Sequence, residues 1–390
     1  LVVGHVLQQL HSIADSAVVG RLIGYDAFAA IGAAALPYWL VLSFVLGITQ
    51  GFGITFSHRF GAGNKASLRK AIAMAIVLSS IIGVALTAGA LWLSRPLLVL
   101  LNTPSDIFED TARYLAVVLT GIGITITYNL LAGILRALGN SKAPVRAMVI
   151  SSVVNIALDV VLISVFNMGI TAVALTTILA QLLACVYCFG VLSGIDSIVP
   201  RGSDWRVDRE TLRSLLAHGT PLALRNAVTG IGGLAIQYVI NSYGTLFIAG
   251  VTAAKKFLGV MEIMGAALEA AVATYVGQNY GARKFERVRE GMSYAARISL
   301  VSAVVIALVM VVFGKPLVLL LVSGKSAEIH HVLHTGYEHL VVMGIGLPAL
   351  YFLFIWRAAL QGLGNTFIPM LSGFVELGLR VVAIFSLPAI

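Results

Sequence analysis

Apolar residues run along this chain in long stretches separated by short polar breaks. A helix of about 20 apolar residues matches the hydrocarbon thickness of a bilayer, so each stretch predicts a spanning helix. Eleven spans can be marked off, near 1–20, 28–56, 71–93, 113–135, 147–166, 170–192, 221–241, 246–276, 292–313, 340–357 and 368–390. A polar segment, Pro200–Glu210, divides the first six from the last five. The runs neither alternate nor stop at the ~10 residues of a barrel strand, so an outer-membrane barrel does not fit.

Composition supports the same reading. The chain is 59% hydrophobic and only 11% charged, against about 25% charged in soluble domains. The formal net charge of +9 does not point to nucleic acid, because the basic residues sit in short loops between spans. They read as topology signals and as contacts with anionic lipid head groups. Sixteen Lys and Arg follow the even-numbered spans and five follow the odd-numbered ones. Positive charge stays cytoplasmic, which places the N-terminal side and Pro200–Glu210 inside. The sequence starts and stops within apolar runs, so both ends read as truncated. Cys185 and Cys188 form a C-x-x-C in an apolar run with no second pair, and read as small buried hydrophobes.

The two halves echo each other. Arg136-Ala137-Leu138-Gly139-Asn140-Ser141-Lys142-Ala143-Pro144 is matched by Gln361-Gly362-Leu363-Gly364-Asn365-Thr366-Phe367-Ile368-Pro369. Gly61-Ala62 is matched by Gly281-Ala282, and Arg95-Pro96 by Lys315-Pro316. The order is kept, with offsets of about 220 to 225 residues. Six spans per repeat return the chain to its starting side. The expected fold is therefore an all-α membrane protein of two six-helix bundle lobes. A pseudo-two-fold axis along the membrane normal relates them, with a binding cavity between. The expected organisation is an N-lobe at 1–195, a cytoplasmic linker at 196–218 and a C-lobe at 219–390. The complete fold would hold twelve helices, about eleven of them here.

One acid stands out in the first span. His11 and Asp15 are four residues apart and share a helix face. A carboxylate in a bilayer span costs roughly 3 kcal/mol on insertion scales, and is tolerated where it faces protein or a water-filled cavity. There it usually handles protons or ions, the alternative being a cap or pair inside the bundle.

Three segments resemble the multidrug and toxic compound extrusion (MATE) family of the multidrug/oligosaccharidyl-lipid/polysaccharide exporter superfamily. They are Ala14-Asp15-Ser16-Ala17-Val18-Val19-Gly20-Arg21-Leu22-Ile23-Gly24, Asn155-Ile156-Ala157-Leu158-Asp159, and Val276-Gly277-Gln278-Asn279-Tyr280-Gly281-Ala282. The resemblance implies a secondary transporter of the plasma membrane, bacterial or archaeal. It implies export of lipophilic organic cations or drugs in exchange for protons or sodium, by alternating access. It implies Asp15 as the coupling acid, joined by Asn155, Asp159, Tyr114 and Thr177, with His11 at a position where relatives carry Tyr. If sodium is the coupling ion, Asp15, Asp159, Asn155 and Thr177 would supply its hard oxygen ligands. An imidazole at His11 could instead relay protons, or simply be a hydrogen-bonded core group. The alternative for Asn155 is interhelical glue, and for Tyr114 an aromatic-belt role.

In the second half, Glu269 is the leading cation contact, with Glu262, Glu376, Lys256, Gln237 and Asn241 as further cavity candidates. Each acid could equally form a structural ion pair. Beyond H⁺ or Na⁺ no cofactor is expected, and the chain reads as a monomer in contact with membrane lipid. Ser323-Gly324-Lys325-Ser326 lacks the leading Gly of a P-loop, and neither H-E-x-x-H nor G-x-S-x-G occurs, so an enzyme has little support. The competing readings are a lipid-linked oligosaccharide flippase of the same superfamily and, less favoured, an ion channel or membrane enzyme.

Overall fold

The computed structural model describes residues 25–101, 103–166, 168–243, 245–321 and 326–386. Within them there are eleven α-helices and no strand. They are α1 (Tyr25–Gly61), α2 (Lys65–Leu100), α3 (Ser105–Thr120), α4 (Ile122–Ala137), α5 (Lys142–Ser164) and α6 (Ile170–Ser193). A 3-10 turn (Gly202–Trp205) precedes α7 (Arg209–Ser242), α8 (Thr245–Gly281), α9 (Phe285–Leu321), α10 (Ser326–Gly362) and α11 (Phe367–Ser386).

Seven of these, α1, α2, α5, α6, α8, α9 and α10, are long and apolar enough to cross a membrane. Together α3 and α4 make another, bent by 44°. The bend falls at Gly121, where an added Cβ would lie 2.7 Å from Ile178. The lipid-facing character is plain on α9. Val301, Val305, Leu308 and Val312 recur at helical spacing and are all exposed. In water such a stripe would aggregate; in a bilayer it faces acyl chains.

The repeat appears in the helix bounds. α1 and α8 are 37 residues each and begin 220 residues apart. Four helix–helix turns use one device. The N–H groups of Gly63, Gly139, Arg283 and Gly364 return to the carbonyls three residues back. The next N–H groups, of Asn64, Asn140, Lys284 and Asn365, reach the carbonyls five back. This is a Schellman ending, which needs a left-handed residue. Three of the four supply glycine; the fourth is Arg283, at φ 58°. Asn64, Asn140 and Asn365 then cap the following helix, accepting from Ser67 N, Ala143 N and Ile368 N.

The chain forms two compact units, one reaching to Ala227 and the other beginning at Val228, inside α7. The first is centred on Phe52, Phe56, Leu68, Met74, Ile134 and Leu135. The second is centred on Met261, Leu340, Leu347 and Tyr351. In the first, α7 packs on α1 through small residues, with Gly47 against Ala223 and Gly51 against Gly219.

The segment Pro200–Glu210 is held in place by named contacts. Arg69 Nε donates to Asp204 Oδ2 at 3.0 Å, and Lys70 Nζ lies 3.5 Å from Asp208 Oδ2. Asp204 also accepts from the Arg201 N–H at 2.9 Å. That backbone bond, with Arg69 adding to it, holds the Asp204 carboxyl below the usual carboxylate range. Asp208 is likewise lowered, first by the Thr211 hydroxyl that donates to it and then by Lys70.

Candidate functional site

The buried face of α5 carries Pro144, Ala147, Asn155, Asp159 and Ile163, residues that recur in steps of three, four or eight. Two polar groups therefore sit in the middle of an otherwise apolar stripe. Asp159 is completely buried and Asn155, one turn earlier, is 2% exposed. The helix ends at Ser164, Gly169 takes φ 60°, and α6 returns against α5. That hairpin brings Thr176 to Asp159, and the Thr176 hydroxyl donates to Asp159 Oδ1. Asn155 Nδ2 is buried without a hydrogen-bond partner among the described residues.

The arrangement has a chemical property of its own. Thr176 Oγ1 also lies 2.9 Å from its own-helix carbonyl, Val173 O. A hydroxyl has one proton to give and lone pairs to receive. When Asp159 is ionised, Thr176 donates to it. When Asp159 is protonated, the acid can donate to Thr176 Oγ1, which turns its own proton to Val173 O. Asp159 Oδ1 thus has Thr176 Oγ1 as a hydrogen-bond partner in either protonation state.

Sequence reasoning designates Thr177, and the structure brings in its neighbour. Thr177 Oγ1 donates to Val173 O at 2.8 Å and is half-buried, while Thr176 is fully buried and meets the acid. Tyr114, half-buried on α3, packs in a cluster with Ile107, Ile163, Ile170 and Val173. Ile163 lies one turn beyond Asp159, and Val173 three residues before Thr176. Asp15 and His11 lie outside the described residues.

A second buried polar set escaped the sequence reading. Thr125 Oγ1 donates to Gln181 Oε1 at 2.6 Å, and the Tyr38 hydroxyl lies near both side chains. The hydrogen bond ties α4 to α6, one to two turns along α6 from Thr176. The available signal was Gln181, the only amide side chain in an apolar 24-residue helix.

In the second unit the predicted cavity acids fall differently. Glu376 on α11 is held by two arginines: Arg357 Nη2 at 3.0 Å, and Arg380 one turn along its own helix. Arg357 is 7% exposed and also donates to Ser372 Oγ at 2.8 Å. Arg380 reaches Thr229 O on α7. Glu376 therefore sits in an ion-pair network, the structural alternative to a cation contact. Glu262 is half-buried on α8, within electrostatic range of Arg380 and Glu376. Glu269 is half-buried seven residues further along α8, and Lys256 is exposed. The side chains of Gln237 and Asn241 lie outside the described set. Cys185 and Cys188 are free and buried, as expected. Among the described residues no three His, Cys, Asp or Glu side chains group as a metal site.

Comparison with known proteins adds a consistent picture. A family model described as MatE matches residues 1–161 and 221–385. The chain is 31% identical over 330 residues to the "Probable multidrug resistance protein YpnP" of Bacillus subtilis (strain 168), covering 84% of this chain and 73% of that one. It is 26% identical over 387 residues to the "Probable multidrug resistance protein NorM" of Thermotoga maritima, covering 96% of this chain and 80% of that one. Among solved structures, a MOP superfamily transporter from Pyrococcus furiosus superposes with a TM-score of 0.90 at 22% identity. It covers 99% of this chain and 86% of its own length. At that identity the match shows a shared fold, the two-lobe helical architecture.

Proposed function

Since the chain belongs to the MatE family, we propose that it is a secondary active exporter. It moves lipophilic organic cations out of the cell in exchange for an inward-moving coupling ion. The observation that carries the reading is Asp159, a completely buried carboxylate in an apolar helix hairpin, hydrogen-bonded to Thr176. An ionisable group at that depth is costly, and in a transporter it marks an ion or proton path.

The hydroxyl relay favours a proton as the coupling ion, because both charge states of Asp159 find a partner in place. A sodium ion would instead draw on Asp159, the Asn155 amide oxygen and Thr176 Oγ1, with Asp15 as a further carboxylate. Loading the ion removes a buried negative charge. It biases the two access states only as far as they differ in affinity for it; a hundredfold difference is about 2.7 kcal/mol. Coupling resides in the first repeat, since no Asp or Glu occurs between Pro221 and Phe247, the counterpart of the first span. Glu269 is the candidate contact for the cationic substrate.

The test is transport in proteoliposomes, with proton and sodium gradients imposed separately and a fluorescent cation as substrate. Asp159→Asn, which fixes the neutral form, should bind substrate and fail to concentrate it, and Asp15→Asn should do the same. Thr176→Val should shift the pH profile of transport if protons couple. Gradient-driven accumulation by Asp159→Asn at the normal rate would overturn the assignment.

A further inference from the structure

The connector between the repeats spends its acids on the protein and turns a basic, aromatic face outward. Asp204 is 9% exposed and held by Arg69, while Asp208 is engaged by Lys70 and Thr211. Around them Arg201, Arg206, Arg209 and Arg213 are all exposed, and none forms an ion pair among the described residues. The exposed acids nearby are Asp196 and Glu210, which leaves an excess of two positive charges on this surface. Between the arginines, Trp205 is 45% exposed and Val207 75% exposed. An exposed Trp beside a bare Val is costly in water, and is the composition of a membrane interface.

Its place in the fold fits that composition. Arg69 and Lys70 lie in the first two turns of α2. That helix has 36 residues, about 54 Å at 1.5 Å per residue, against a hydrocarbon core of about 30 Å. Its first turns therefore stand at head-group level, and the connector is pinned beside them. The exposed face of α7 continues the theme. It runs from Arg209 and Arg213 to Leu216 and Leu224, charged first and apolar afterwards, as a helix entering acyl chains from the head-group layer does.

We infer that the face formed by Arg201, Trp205, Arg206, Val207, Arg209 and Arg213 is a binding surface for anionic phospholipid head groups. The indole and Val207 seat at the acyl boundary and the guanidiniums take the phosphates bidentately. The ion pairs to α2 set the depth of this anchor. The occupant is lipid rather than a soluble protein because the surface is continuous with a membrane-spanning helix and its charge complements an anionic leaflet.

The test uses the full chain in nanodiscs, with Trp39, Trp92 and Trp356 replaced by Phe so that Trp205 reports alone. Phosphatidylglycerol is titrated into phosphatidylcholine, and quenching of Trp205 by brominated acyl chains is read against quenching by aqueous iodide. The expected result is brominated-lipid quenching that rises with phosphatidylglycerol and weakens with added salt. Arg206→Gln should move the midpoint of the titration by about fivefold, equivalent to about 1 kcal/mol. Free inorganic phosphate should not reproduce the effect in phosphatidylcholine discs. Equal lipid quenching at every phosphatidylglycerol content would overturn the recognition of anionic head groups. Full access to iodide in all discs would overturn the anchor itself. Unchanged helicity and elution of each variant establish that its fold is intact.

Discussion

The contact between α1 and α7 can be tested one methyl group at a time. A Cβ added at Gly51 would lie 2.3 Å from Gly219 Cα and 2.4 Å from its nitrogen. Carbon atoms rest about 3.5–4.0 Å apart, so the two backbones would have to part by more than 1 Å. The atoms in the way are main chain and cannot swing aside. The seam also holds polar contacts that such a shift would stretch. Thr55 Oγ1 lies 2.9 Å from His218 Nδ1, Arg59 Nη2 donates to Thr211 Oγ1 at 2.9 Å, and Asn226 Nδ2 reaches Ser43 O at 3.3 Å. Overpacking of this kind costs about 1–3 kcal/mol. Gly53 lies two residues along the same helix with nothing within 4 Å of its added Cβ. There an alanine should gain about 0.5–1 kcal/mol from the helix backbone alone. Gly219→Ala is intermediate: its Cβ would meet Ile48 O at 3.1 Å and the Phe52 ring edge at 3.2 Å, and a ring can shift. Thermal unfolding in detergent, followed by loss of the monodisperse peak, should rank Gly53→Ala at or above wild type. Gly219→Ala should fall below it and Gly51→Ala lowest, with spacings on the order of 2 °C per kcal/mol. A Gly51→Ala protein that melts at or above wild type would refute the close approach.

Three other expectations follow from equally local observations. Glu376→Gln leaves Arg357 and Arg380 without their shared counter-charge, so it should cost about 3 kcal/mol, read as a drop of about 6 °C in melting temperature; an unchanged melt would contradict the network. Arg283→Gly relieves a left-handed residue at the position equivalent to Gly63, φ 58° against 69°, and should stabilise by about 1 kcal/mol. A melting temperature no higher than wild type would remove the strain argument. The carboxyls of Asp204 and Asp208 are held below their unfolded values, so their contribution is complete above about pH 4 and is lost as pH falls through the lowered native values. Protection of residues 201–211 against hydrogen exchange, taken relative to the intrinsic rate at each pH, should therefore fall only at acid pH, and Asp204→Asn should show the lower protection already at neutral pH.

Most of the architecture was legible because it is written in local, one-dimensional terms. Bilayer thickness fixes the length of an apolar run, so the spans near 28–56, 71–93 and 147–166 reappear as α1, α2 and α5, the first two longer at both ends and α5 beginning five residues earlier. The fourth span was legible as one segment, but not its break at Gly121, where the backbone comes close to Ile178 on α6. The repeat was legible because Gly139-Asn140 and Gly364-Asn365 each close one helix and cap the next, chemistry that needs no distant partner. Asp159 was reached through the resemblance carried by Asn155-Ile156-Ala157-Leu158-Asp159. Its partner was not legible in the same way. Adjacent residues on a helix point about 100° apart, and only the packing of α6 on α5 decides that Thr176, rather than Thr177, faces the acid. The fate of Glu376 depended on Arg357, nineteen residues away on another helix. The connector read as a polar spacer until Arg69 and Lys70 came to meet its acids. Composition and periodicity set what each segment is, because burial and backbone hydrogen bonding are satisfied within it. The tertiary structure decided which polar groups meet, because that depends on how each helix is rotated against its neighbours.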